Sequence, residues 1–220
     1  GQRSAAAAGP LTASPTSANV GVDVTLTATV TGASPSGSVE FFDGTTSLGT
    51  AAVSGGTAQI ITGTLSAGAR SITAAYGGDA TNNTSVSSAT TVTVVTVATV
   101  TLAASGSTPS AGAPLTLTAT VTGNTPTGSV EFFDGTTSLG TVALAAGEAS
   151  IETSSLALGS HSLTAVYSGD TLNTTATSSA ATVTVLTVAG VAVAASTETP
   201  LVGDPVTLTA TVTGNAPSGT

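Results

Sequence analysis

The chain contains no cysteine, methionine, tryptophan or lysine. Without thiols, disulfide staples and thiolate metal sites are both excluded. Aromatic residues make up only 3% of the 220 positions and charged residues 6%. Eleven acidic side chains stand against two arginines, Arg3 and Arg70, for a net charge of −9. A nucleic-acid binder needs a basic stripe to neutralise phosphates, so that class is excluded. The same sign of charge disfavours an anionic membrane surface. No apolar run reaches the roughly eighteen residues of a spanning helix, so no membrane insertion is expected. The opening GQRSAAAAGP lacks an initiator Met, and its apolar stretch is too short for a signal peptide. With the abrupt stop at Thr220, the chain is expected to be an internal piece of something longer.

What is present is hydroxyl and small aliphatic side chains. About one residue in five is threonine, and a Thr-rich, Val-rich, aromatic-poor chain has the composition of strands. Order within that composition comes from a repeat. Val24 to Thr50 reads VTLTATVTGASPSGSVEFFDGTTSLGT, and ninety-one residues later Leu115 to Thr141 reads LTLTATVTGNTPTGSVEFFDGTTSLGT. A third copy opens at Val206 and stops at the chain end. Leu26, Leu117 and Leu208 keep the step, as do Tyr76 and Tyr167, and Asp79 and Asp170. A period of that length is domain-sized rather than solenoid-sized, so the copies should be separate beads.

Within the second copy, Leu115, Leu117, Ala119 and Val121 alternate with threonines, which is the period of a half-buried strand. Val130 and Phe132 point one way, and Glu131 and Phe133 the other. Asp134-Gly135 is a hairpin signal, with both residues expected at the centre of the turn. Leu156, ahead of Gly159, is expected to plug the bottom of the module. Leu163, Ala165 and Tyr167 face inward, and Val183 and Val185 close the unit. About seven short strands in ninety residues, with no helical period, give an all-β fold of tandem immunoglobulin-like sandwiches. The expected divisions are a disordered tail over 1–7, repeat one over 8–96, repeat two over 97–187, and a truncated third repeat over 188–220. The third holds only its first two strands, and disorder, a loose hairpin or docking on repeat two is expected there. Val94 to Val100 and Val185 to Val191 contain no proline and little glycine, so each joint is short and limits bending.

The run PTGSVEFFDGTTSLGTVALAAGEASIETSSLALGSHSLTAVYSGD resembles the bacterial Ig-like repeat of large surface and adhesin-type proteins. Its pattern is P-x-G-x-V-x-F-x-D-G, then L-G, then Leu-x-x-G-x-H and Y-x-G-D. The first copy matches from Pro35 to Asp79, with Arg70 where the pattern has His. The resemblance implies a secreted or cell-surface bacterial setting and modules that act mostly as spacers. It offers no catalytic residues to transfer, and no enzyme is expected.

Several polar residues carry a sharper reading beside a plainer one. His161 is the only histidine, and without a nucleophile and base around it a polar surface or turn role is expected. Glu40 with Asp43, and Glu131 with Asp134, are paired carboxylates of the glycosidase type; repetition in every spacer argues for a structural role. Asp23 or Asp43 of one unit with Asp170 of the next form a candidate interdomain calcium site, since calcium takes oxygen ligands. The alternative is that each Asp caps its own turn. Apart from such calcium, no cofactor is expected. Asn82, Asn83 and Asn173 fall in N-x-S/T sequons, which mean little in a bacterial protein. Function is expected to be structural: a stalk segment presenting a distal domain, with neighbouring repeats as its partners. The alternative is weak multivalent adhesion to a host-surface protein or glycan, for which Phe42 and Phe133 are the candidate platform.

Overall fold

The computed structural model describes residues 7–214. In the first unit, β1 (Ala7–Ser14), β3 (Val24–Thr31) and β6 (Thr57–Thr62) form one antiparallel sheet. The facing sheet has the order β2 (Ser17–Asn19), β9 (Thr90–Val95), β7 (Gly68–Tyr76), β4 (Ser38–Asp43) and β5 (Thr46–Ala52), with β8 (Ser85–Val86) also on β7. The second unit repeats the plan. There β10 (Thr99–Ala104), β11 (Leu115–Thr122) and β14 (Glu148–Thr153) face β13 (Thr137–Ala143), β12 (Ser129–Asp134) and β15 (Gly159–Tyr167), which carries β16 (Ala176–Thr177) and β17 (Ala181–Val185). Two sheets closed face to face around alternating inward residues make an immunoglobulin-like sandwich.

Alternation decides the core. In β3 the residues Val24, Leu26, Ala28 and Val30 are buried while the threonines between them are half-buried, and β11 repeats this with Leu115, Leu117, Ala119 and Val121. Phe41 with Tyr76, and Phe132 with Tyr167, supply the largest buried side chains. The two cores share no member, one running from Leu11 to Val94 and the other from Ala98 to Val183. Each sandwich therefore buries its own apolar surface, as independent beads require. Leu65 plugs the lower end of the first core, and Leu156 packs against the second from a partly buried position.

Three details depart from the sequence expectation. The hairpin turn lies one residue later than Asp-Gly suggests: Asp43 pairs with Thr46 and Asp134 with Thr137, so Gly44 and Gly135 take the first central position, with φ of +59° and +57°. Glycine at that position relieves the turn, and both aspartates remain strand residues. Beyond the turn the register slips, leaving Leu48 and Leu139 as the extra residues of a bulge that turns them onto the core. The last strand is also broken. Ser87 and Ser178 are buried in the gap, where each hydroxyl accepts the N–H of a facing strand residue, Ala74 or Ala165, at 3.0 Å.

The third copy supplies β18 (Gly190–Ala195) and β19 (Leu208–Thr213), an antiparallel hairpin whose residues are all exposed. Of the third copy expected over 188–220, the described residues form this hairpin, with its strands exposed, and residues 215–220 lie outside the described residues. The expected tail over 1–7 lies outside the described residues except Ala7, which already pairs with Thr31.

Candidate functional site

The polar residues that the repeat conserves gather at the two ends of each sandwich. At the upper end, the loop after β7 and the loop after β15 are closed by the same three side chains. In the second unit, Tyr167 donates to Asp170 at 2.9 Å, and the same carboxylate accepts the Thr127 N–H at 2.8 Å and the Leu172 N–H at 2.7 Å. Asn173, only 2% exposed, donates to Asp170 and to the Asn124 carbonyl, both at 2.9 Å, and accepts the Asn124 N–H at 2.6 Å. Gly123 leaves the room: a Cβ there would collide with the Asn173 amide oxygen. Tyr76, Asp79 and Asn82 repeat this clasp in the first unit, with Asn82 fully buried and bonded to both backbone groups of Ala33.

Electrostatics follow from these bonds. Burial alone pushes the Asp170 carboxyl up, but the Thr127 and Leu172 N–H groups, Asn173 and Tyr167 outweigh it and hold the carboxyl well below its ordinary range. Asp79 is likewise depressed, first by the Asn82 amide and then by the Ser36 N–H. Tyr167 is pushed up to about 12 by burial and by the charge it faces. Asn82 and Asn173 are the residues that sequence reading missed; the signal was their shared ninety-one-residue step, three places after each repeated Asp.

At the lower end each strand-terminal aspartate holds a cation. Arg70 meets Asp43 at 2.6 Å, and His161 meets Asp134 at 2.7 Å. His161 also lies 2.8 Å from the Ala157 carbonyl through Nε2. A carbonyl and a carboxylate can only accept, so the arrangement favours the imidazolium, the form in which both ring nitrogens donate. The Ala157 carbonyl and Asp134 accordingly raise its pKa above the ordinary value. The bonus is then fully present below the unfolded value of about 6.5 and is lost as pH rises through the folded value. Thermal melts of the second unit are expected to fall between near-neutral and alkaline pH, and His161→Arg is expected to flatten that slope. A slope unchanged by the substitution would count against the charged pair.

The carboxylates of each candidate pair are engaged separately. Glu40 accepts from Ser47 at 2.7 Å and Glu131 from Ser138 at 2.6 Å, while Asp43 and Asp134 serve the cations. Of the calcium candidates, Asp43 is held by Arg70, Asp23 is exposed beside Gly63, and Asp170 belongs to the clasp. The bond from Leu172 N–H to Asp170 is the turn-capping type. Among the described residues, no group of three or more acidic or histidine side chains is gathered at one place.

The joint is built by the clasp loop itself. Thr96 donates its N–H to the Leu172 carbonyl at 2.7 Å and accepts the Thr174 N–H at 2.9 Å, while Ala98 donates to the Thr174 hydroxyl at 3.1 Å. Only Thr96, Val97 and Ala98 separate β9 from β10. From the same loop the Leu172 side chain reaches the first unit: a Cβ built on Gly68 would touch its Cδ2 at 3.8 Å.

The bacterial Ig-like domain (group 3) model matches residues 11–95 and 101–186. The chain belongs to that family. Bacterial Ig-like domains of this kind typically occur in tandem in surface or secreted proteins and adhesins, and no catalytic domain is found beside the two copies. A search of curated proteins gives no match. Among solved structures, the chain is similar to the fibronectin(III)-like modules of Clostridium thermocellum CbhA, at 24% identity over 81% of this chain and 94% of that one, with a TM-score of 0.38. It is also similar to the I67–I69 I-band fragment of titin (10% identity, 89% and 72% covered, TM-score 0.48). A third likeness is to the Yersinia pseudotuberculosis adhesin InvE (16% identity, 80% and 58% covered, TM-score 0.37).

In these Ig-like units Phe42 and Phe133 lie on the outer face of the sheet, out of phase with the buried Phe41 and Phe132. Phe133 stands between Ser138 and Thr164 in register, and Phe42 between Ser47 and Thr73. Both are half-buried, so neither forms a fully open aromatic platform.

Proposed function

We propose that the chain is a non-catalytic spacer: a stalk segment of a secreted or cell-surface bacterial protein that holds a distal domain at a fixed reach. The observation that carries this reading is the clamped joint. The linker is only three residues long, its backbone is hydrogen-bonded to the clasp loop at Thr96 and Ala98, and Leu172 of that loop lies against Gly68 of the first unit, which together restrict hinge motion. Each ninety-one-residue step then adds one sandwich and one stiff joint, and reach scales with copy number. Repulsion along an acidic array acts in the same direction. The alternative, multivalent adhesion, has no comparable observation behind it, since Phe42 and Phe133 are half-buried. Small-angle scattering from the chain is expected to fit one extended arrangement of the two sandwiches. A profile that only an ensemble of bent arrangements reproduces would argue against the spacer.

A further inference from the structure

The lower face of the first unit is occupied, and the matching face of the second is open. In the first unit the face is formed around Ala67, Gly68 and Val95, all half-buried, and Leu172 from the next unit lies over Gly68. In the second unit the corresponding residues are Leu158, Gly159 and Leu186. Among the described residues a Cβ on Gly159 would meet nothing within 4 Å, and Leu158 and Leu186 are each 48% exposed. With Thr184, Val185 and Thr187 they line an open depression of about 270 Å³. Two half-exposed leucines thus flank the glycine at the end of the module.

We propose that this depression is the acceptor face for the clasp loop of a following Ig-like unit, with an aliphatic side chain two residues after that loop's Asp as the plug. The occupant follows from three observations. The existing joint seats such a residue, Leu172, on the equivalent face. The chain leaves this face into β18 and β19, whose pairing of Gly190 with Thr213 repeats the pairing of Thr99 with Thr122 that begins the second unit. The face itself is apolar around its glycine, matching an aliphatic plug rather than a charged one. Thr81, the first unit's residue at the plug position, instead turns its hydroxyl back onto Asp79 at 2.9 Å. An apolar residue there is thus not required by the loop's own fold, and Leu172 gains its role from the neighbour it covers.

This inference rests on the spacer reading for its purpose, but its test is separate. The full chain would be lengthened after Thr220 by a second copy of residues 130–187, which completes the third sandwich and supplies a copy of Leu172. Spin labels at Thr137→Cys and at the matching threonine of the added copy report the second joint. The expected distance distribution is narrow, and Leu158→Ser with Leu186→Ser broadens it about twofold, since domains without an apolar interface move by default. Serine in place of the added Leu172 copy, at a loop tip outside the core, is expected to do the same and guards against misfolding of the face variant. A distribution that both variants leave unchanged, or one already broad before substitution, would overturn the acceptor face. A broad first joint in the unextended chain would instead count against the spacer.

Discussion

Phe132→Ala is expected to unfold the second unit at temperatures where the first remains folded. Phe132 is fully buried between the sheets, surrounded by the second core and absent from the first. Truncating a buried Phe costs about 3–5 kcal/mol, through lost transfer energy and the cavity left behind. A domain of this size has only about 5–15 kcal/mol in total. The loss is severe because the core is built from small side chains: apart from Phe132 and Tyr167, it consists of Val, Leu and Ala. Small neighbours can collapse only partly into a phenyl-sized void. Differential scanning calorimetry should show the transition of the second unit moving down while that of the first stays within a degree or so. Phe41→Ala should give the reverse pattern. A common shift of both transitions would show that the cores are thermodynamically coupled.

Asn173→Ala is the second large effect, and it acts through polar groups. The side chain is buried and satisfies the N–H and C=O of Asn124 while donating to Asp170. Alanine leaves two backbone groups and one carboxylate short of a partner in a space that a methyl group does not fill. Each unsatisfied buried group costs about 1–3 kcal/mol, and water reaching the loop offsets part of this, so a net loss of about 2–3 kcal/mol is expected. For a sandwich of ninety residues that is a fall in Tm of about 10–20 °C. The same loop holds Thr96 through Leu172 and Thr174, so hydrogen exchange at the Thr96 amide should also accelerate. Stability and exchange both unchanged would remove the clasp from the account. Asn82→Ala is the matched substitution in the first unit, where the amide is fully buried.

How much of this was legible in the sequence differs by element. Strands β3 and β11 were plain, because strict alternation of Val, Leu and Ala with Thr admits one register with an apolar inner face. The aromatic pairs Phe41–Tyr76 and Phe132–Tyr167 followed from the same phase. The clasp was not legible, since loops carry no hydrophobic period and Asn82 and Asn173 read as sequons. Their burial depends on Ala33 and Asn124, forty-nine positions away in sequence. The lower-end ion pairs were half visible. The exchange of Arg70 for His161 at one step was in plain view, but His161 was expected in a polar surface or turn role rather than as a cation. The partner at that step, Asp43 or Asp134, became available only because the turn begins one residue later than Asp-Gly suggested. Leu172 against Thr81 was a difference in plain view whose meaning needed the neighbouring unit's Gly68.

A spacer of fixed reach requires a stiff joint between the two sandwiches. Because the chain has no cysteine, Thr46→Cys and Thr137→Cys create its only two thiols, at equivalent exposed positions one repeat apart. Pulsed electron–electron resonance between spin labels at these sites measures the bend and rotation across Thr96 to Ala98 directly. A stiff joint gives a single narrow distance distribution that broadens when Leu172 becomes Ser. A broad or multi-peaked distribution in the otherwise unaltered chain, indifferent to Leu172, would contradict it.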